Sequence, residues 1–283
     1  MPLMTMARRA RISAGRVKRT ILMTLWNDRV GRAVSKALPY RFDPNRYSEP
    51  FMRGPRTSAS TVETVPRRVF ALWTGNNPLT PNRARNLDRM KQILGVELIL
   101  VTPENLSDWV VDGHPLHPAY ENLALIHRSD YLRCYLMHHH GGGYCDIKEP
   151  LHSWGQVFDV FTDPEVWWAG SPELSPWTVS FVPGRLGREL RHHFAKMTMT
   201  SLMIARPRTP LTRELLEEVE RRLDVLAPVL RGQNNGVFDE VEGYTRRVKW
   251  TSLLGDVLHP LELKYRDHVV LDRRLEVSIE NYR

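Results

Sequence analysis

Ser129-Asp130-Tyr131-Leu132-Arg133 opens a helical stretch that stops at Gly141-Gly142-Gly143 and continues as Tyr144-Cys145-Asp146-Ile147-Lys148. Asp130 and Arg133 are three residues apart, so a helix would place them on one face. The glycine run ends that helix and turns into a short strand, with Asp146 at the strand's far end. Open α/β sheets place their ligand crevice at that end. A carboxylate–guanidinium pair from a helix and a second carboxylate from a strand edge would thus converge on one point. Carboxylates accept sugar hydroxyls, and arginine offers a planar fork to hydroxyl or phosphate oxygens. The pattern suits a polyhydroxylated, phosphorylated ligand and points to nucleotide-sugar chemistry.

These residues need a scaffold, and the surrounding pattern supplies one. An apolar strand is predicted over Val69–Trp73, broken by Thr74-Gly75-Asn76-Asn77-Pro78, and followed by a helix from Pro81 to Leu94 and a buried strand over Val96–Val101. Strand, helix and strand of these lengths are a parallel-sheet signature. Leu125, Ser129, Leu132 and Leu136 mark the buried stripe of the next helix, with Asp130 and Arg133 at its border. Further strands are expected over 165–169 and 202–205, and an amphipathic helix over 211–230. Trp73 ends the first strand, where a nucleotide base could stack, with Thr74 and Gly75 adding hydroxyl and backbone contacts. A core tryptophan is the competing reading. The expected fold is α/β: a single Rossmann-type domain with a mostly parallel central sheet, over residues 61–283.

Composition separates the chain into two parts. The 283 residues carry a net charge of +8, but residues 1–56 hold 13 Lys and Arg against Asp28, Asp43 and Glu49, a net +10, so residues 57–283 sum to −2. The positive charge belongs to an N-terminal extension and linker, residues 1–60. Val17, Ile21, Leu22, Leu25, Trp26, Val30, Val34 and Leu38 recur at helical spacing, with Arg29, Arg32 and Lys36 on the other side. Such a basic amphipathic helix over 17–38 suits an anionic membrane surface. A helix packed on the domain, a basic tail and a mitochondrial targeting segment are the alternatives. Nucleic-acid binding needs basic residues interleaved with aromatics on the domain itself, and the domain is slightly acidic.

Cys134 and Cys145 lack metal-ligand spacing, which argues against a disulfide framework and for a reducing compartment. No apolar run is long enough to span a bilayer. The expected location is cytoplasmic, peripheral on the membrane's inner face. The His138-His139-His140 run fans around the end of a helix and does not form a ligand set. His192-His193 reads as surface.

The pattern Ser-Asp-x-x-Arg followed by Gly-Gly-x-Tyr-x-Asp resembles the donor site of retaining GT-A glycosyltransferases, nearest to the family 32 and capsular-polysaccharide synthesis type. The resemblance begins at Val69-Phe70-Ala71-Leu72-Trp73-Thr74-Gly75 and recurs at Trp250-Thr251-Ser252-Leu253-Leu254-Gly255-Asp256-Val257-Leu258-His259-Pro260. It implies a GT-A-like domain that moves a hexose, with retention, from a UDP- or GDP-linked sugar to a hydroxyl of a glycan or lipid-linked acceptor in polysaccharide or glycoconjugate synthesis. It further implies that Trp73 stacks on the base, that Asp130 and Arg133 hold the donor sugar, and that Tyr144 and Asp146 hold ribose and diphosphate. Mn²⁺ or Mg²⁺ is the implied cofactor, with Asp146 and His259 the candidate ligands.

One position departs from that family. Asp-x-Asp is usual at the strand end, and this chain has Asp146-Ile147-Lys148. Lys148 could neutralise the leaving diphosphate in place of the metal. Alternatively, a divalent ion is retained by Asp146, the diphosphate, waters and another side chain, or Lys148 faces solvent from an edge. A catalytically weak nucleotide-sugar-binding protein with a regulatory or scaffold role is the alternative function.

Overall fold

Residue alternation along the first strand explains the layering. In β1 (Arg68–Leu72), Val69 and Ala71 face one apolar cluster while Phe70 and Leu72 face another, so both sides of the strand are buried. A strand apolar on both faces belongs inside a sheet covered by helices on each side. The structure, a computed structural model, describes residues 29–58, 62–230 and 248–280.

The strands are β1, β2 (Glu97–Val101), β3 (Gly142–Cys145), β4 (Trp168–Gly170), β5 (Leu202–Ala205) and β6 (Val269–Leu271), in spatial order β2-β1-β3-β5-β4-β6. β1 pairs in parallel with β2 and β3, and β4 with β6, while β5 runs antiparallel to both β3 and β4. The sheet is therefore mixed and mostly parallel, compatible with a Rossmann-like domain.

In chain order the helices are α1 (Arg29–Ala37), α2 (Pro50–Arg53), α3 (Pro81–Ile93), α4 (Leu125–His139), α5 (Gly184–His192), α6 (Pro210–Leu230) and α7 (Gly255–Lys264). One face of the sheet is covered by α4, α6 and α7 through residues such as Tyr135, Leu215 and Leu258. The other is covered by α3 and the 3-10 segment Gly155–Thr162 through Leu87, Met90 and Phe158.

The glycine run does what its composition requires. Gly141 and Gly142 adopt φ of 61° and 89°, the left-handed region that side chains disfavour. Gly141 N–H and His140 N–H both donate to the Leu136 carbonyl, closing α4. A Cβ on Gly141 would sit 2.5 Å from Pro207 Cδ, so the turn also needs the empty space. The chain reverses at once into β3 and delivers Asp146 at its end.

Three expectations shift. The strand expected at 165–169 begins only at Trp168, because Asp163 holds Glu165 and Val166 in a turn through its carboxylate and carbonyl. The strand expected as buried over 96–101 forms as β2 but takes the edge of the sheet, with Glu97 exposed, Leu98, Ile99 and Leu100 half-buried and Val101 alone of the five buried. His193 is buried, not on the surface, and packs edge-on against Tyr40 at 5.0 Å.

The expected extension divides at the limit of description. Residues 17–28 of the predicted helix lie outside the described residues. α1 rests on the domain through Ser35, whose hydroxyl accepts from Ala195 N–H, and through Arg32, which donates to the carbonyls of Glu173 and Leu174 at 3.0 and 2.9 Å. Tyr47 and Met52 then enter a third apolar cluster with Leu186, Leu190 and Phe194 of the α5 region. No helix of the described residues is long and apolar enough to cross a membrane.

Candidate functional site

Because β1 and β3 are parallel neighbours, with Phe70 opposite Tyr144, Trp73 and Asp146 leave the sheet at the same edge. A cavity of about 540 Å³ opens there, and Trp73, Asp130, Arg133, Tyr144, Asp146 and Lys148 all line it. The two carboxylates, the guanidinium and the tryptophan anticipated from spacing thus share one space, at the carboxyl ends of the strands as open α/β sheets place ligands.

Arg133 is the hub. Its Nη2 donates to Asp130 Oδ1 at 2.5 Å, its Nη1 to the Thr200 carbonyl at 2.7 Å and its Nε to the Ser129 carbonyl at 3.3 Å. Nη1 also lies 3.8 Å from Asp146 Oδ1, and the guanidinium sits 4.8 Å above the Tyr144 ring. Burial opposes its charge, yet Tyr144, Asp130 and Asp146 around it raise its pKa. Each of its three nitrogens has a protein partner, so Arg133 braces the two carboxylates, and its remaining two N–H groups belong to a side chain that lines the cavity. Asp130 and Arg133 are both buried, deeper than the stripe border where their spacing placed them.

The two carboxylates differ. Burial pushes the Asp130 carboxyl up to about 6, with Arg133 opposing and Asp146 adding to the rise. Its Oδ2 has no hydrogen bond among the described residues, although Asp130 lines the cavity. For Asp146 burial alone would also raise the pKa, but Arg133, Lys148 and the Tyr144 hydroxyl outweigh it and hold the carboxyl below its ordinary range. Tyr144 Oη donates to Oδ1 at 2.7 Å and Lys148 Nζ to Oδ2 at 2.9 Å. Lys148 is buried, so the reading that leaves it in solvent is corrected.

At the other end, Trp73 is half-buried and donates its indole N–H to the Asn77 carbonyl at 2.6 Å. It packs against the apolar cluster behind it and presents its remaining surface to the cavity. Core packing and cavity lining are therefore both true of this residue. Thr74 spends its hydroxyl on the Leu125 carbonyl at 2.7 Å, tying the β1 loop to the start of α4. At Gly75 a Cβ would meet Asn77 Oδ1 at 2.4 Å and Leu125 Cδ1 at 2.9 Å, so this backbone comes close only without a side chain.

Spacing did not reveal the remaining wall. Arg83 reaches in from the first turn of α3, where Thr80 caps the helix, and donates to the Ile147 carbonyl at 2.7 Å. Ser180, Ser201 and Thr251 also line the cavity and carry buried hydroxyl oxygens without hydrogen-bond partners. For Arg83 the signal present was the Thr-Pro helix start, which fixes the helix face. Thr251 falls in the Trp250–Pro260 block that carries the resemblance, whereas for Ser180 and Ser201 no local signal existed. Trp250 lines the opposite rim and is 46% exposed.

His259 lines the cavity but is not disposed as a ligand. Its Nδ1 accepts from Ser180 N–H at 3.0 Å, while Nε2 faces the Thr198 carbonyl at 3.1 Å and Glu173 Oε1 at 3.4 Å. Both oxygens of Asp146 are likewise bonded, one of them to an ammonium. No group of three or more His, Cys, Asp or Glu among the described residues could hold a metal ion. The residues at Asp146 and His259 do not fit Mn²⁺ or Mg²⁺, because a cation would have to displace Lys148 and break the His259 bonds. Among known proteins, no family model, curated protein or solved structure matches this chain.

Proposed function

We propose that this chain is a glycosyltransferase that moves a hexose from a UDP- or GDP-linked sugar to a hydroxyl of a glycan or lipid-linked acceptor. The observation that carries the reading is one cavity holding Trp73 at one end and Asp130, Asp146 and Lys148 at the other, on the carboxyl edge of the sheet. Trp73 would take the base by stacking, worth roughly 1–3 kcal/mol. Asp130 Oδ2 would accept from a sugar hydroxyl, and Tyr144 with Asp146 would hold ribose and diphosphate. Retention, a GT-A assignment and a place in surface polysaccharide synthesis rest on the resemblance of the motif alone.

In transfer the bond from C1 to the diphosphate oxygen breaks and leaves its electron pair on the phosphate, while the acceptor oxygen bonds to C1 and passes its proton to that leaving phosphate oxygen. Charge builds on the diphosphate, so the useful groups are cations already in position. Lys148 and Arg83 are those cations here, and no step requires a metal. The ammonium of Lys148 is pre-oriented by Asp146 and does not have to be ordered at the moment of reaction.

Thermal shift with UDP-glucose, GDP-mannose and the free nucleotides, followed by donor hydrolysis in chelator, tests the reading. Stabilisation by a nucleotide sugar together with turnover supports it. A second reading, a nucleotide-sugar-binding protein with a regulatory or scaffold role, is favoured by the protein partners on every nitrogen of Arg133 and both carboxylate oxygens of Asp146. Stabilisation without hydrolysis or transfer selects that reading, and the absence of any stabilisation removes both.

A further inference from the structure

A second concave site lies apart from the donor cavity and shares no lining residue with it. It encloses about 290 Å³ between the segment that follows α1 and the outer face of α5. Arg41 and Arg46 come from the former. Arg185, Arg188 and His192 come from α5 at spacings of three and four, which puts them on one helical stripe. Four arginines therefore line the site with a single carboxylate, Glu189, which pairs with Arg46 at 2.5 Å and with Arg185 at 4.0 Å.

That carboxylate is already spent. Tyr47 Oη donates to Glu189 Oε2 and Arg46 Nη2 to Oε1, both at 2.5 Å. Arg41 and Arg188 make no hydrogen bond or ion pair among the described residues. Crowding like charges around one satisfied acid is unfavourable unless an anion joins them. Arginine forks match phosphate oxygens bidentately. The chain leading into the site is apolar and exposed: Leu38 directly precedes the lining residue Pro39, Val34 lies one turn back on α1, and these two are 38% and 46% exposed. A phosphate-binding cup beside an exposed apolar helix stripe matches an amphiphile with an anionic head, not a free ion.

We propose that this cup binds the phosphate headgroup of an anionic phospholipid and docks the protein on a membrane, with Val34 and Leu38 entering the interface. The inference is independent of the donor-site reading and moves the membrane contact from residues 17–38 alone to a surface shared by α1 and α5. His193, beneath the cup, is pushed down to about 4 by burial and by Lys196, and so stays neutral at neutral pH and adds no titrating charge.

The test uses the full-length protein and vesicles of phosphatidylcholine with or without phosphatidylglycerol. Wild type should bind only the anionic vesicles. Arg41→Gln with Arg188→Gln should weaken that binding about thirtyfold at physiological salt, the loss expected for two basic residues near an anionic surface. Val34→Asp with Leu38→Asp should weaken it too, yet leave protection against thermal unfolding by inorganic phosphate intact, whereas the arginine variant should lose that protection. Donor-site thermal shifts should not change in either variant. Equal vesicle binding by wild type and the arginine variant overturns the proposal. So does phosphate protection without vesicle binding, which would mark a free-anion site, or preference for a single-stranded RNA over the vesicles.

Discussion

Lys148 Nζ lies 2.9 Å from Asp146 Oδ2, the two residues separated by one position on the same strand end. A positive charge thus stands where the pattern this chain resembles would carry a second carboxylate. The pair neutralises itself inside a largely buried edge, with Tyr144 on the remaining Asp146 oxygen. On the proposed function, the Lys148 ammonium is the cation that stands nearest Asp146, where the resemblance would put a metal.

Metal dependence should therefore be weak. We expect wild-type turnover to persist in chelator, and Lys148→Ala to lose activity that added Mn²⁺ restores only partly. Lys148→Asp should become metal-dependent. Full activity of Lys148→Ala with tight Mn²⁺ binding by wild type would make Lys148 a bystander.

Asp130→Asn and Asp146→Asn should each lower kcat/KM at least about a hundredfold, near 2.7 kcal/mol. Circular dichroism should show both variants folded, because asparagine keeps the shape and one acceptor. Near-normal turnover in either would remove the donor site as drawn.

Arg133 should behave differently from the acids it holds. Arg133→Ala leaves the buried Asp130 carboxylate without its guanidinium, and breaking such a buried pair costs about 3–5 kcal/mol. Chemical denaturation should show that loss. Arg133→Lys should recover little of it, since an ammonium cannot reach Ser129, Thr200 and Asp130 together. A variant that is catalytically dead yet fully stable would return Arg133 to direct ligand contact.

Asp130 sets a pH limb. Its folded pKa, about 6, lies above the unfolded value near 4. The folded state binds more protons between these values, so the Asp130 contribution to stability is fully present below about pH 4 and is lost as pH rises through about 6. Activity runs the other way, because the carboxylate is the form that accepts a sugar hydroxyl. The kcat/KM profile should fall on the acid side of about pH 6, and Asp130→Asn should abolish that limb. An unchanged limb in the variant would assign it to another group.

Trp73→Ala should weaken nucleotide binding by roughly 1–3 kcal/mol, with Trp73→Phe recovering much of it. Isothermal titration with the free nucleotide reads this directly. Global unfolding of Trp73→Ala would show that the packing of this residue against the cluster behind it dominates.

Much of this site was legible in the chain because it is local. Asp130 and Arg133 are three apart on one helix, the glycine run must end that helix, and a single residue separates Tyr144 from Asp146, so backbone geometry alone brings them close. The apolar runs of β1, β2 and β5 likewise announced strands, of which β1 and β5 are buried while β2 lies at the edge of the sheet. What no local pattern could decide was which side chains the partners would use up. Whether Arg133 grips a ligand or braces the site depends on the Thr200 carbonyl, 67 residues away. His259 as ligand or as brace depends on the Ser180 N–H, 79 residues away. Lys148 in solvent or against Asp146, the antiparallel course of β5 and the meeting of Arg41 with Arg188 were also settled only by packing. Residue type and spacing determine what a side chain can do. Hydrogen-bond satisfaction in a buried environment, where unpaired polar groups are costly, decides what it is free to do, and that balance exists only once distant segments have met.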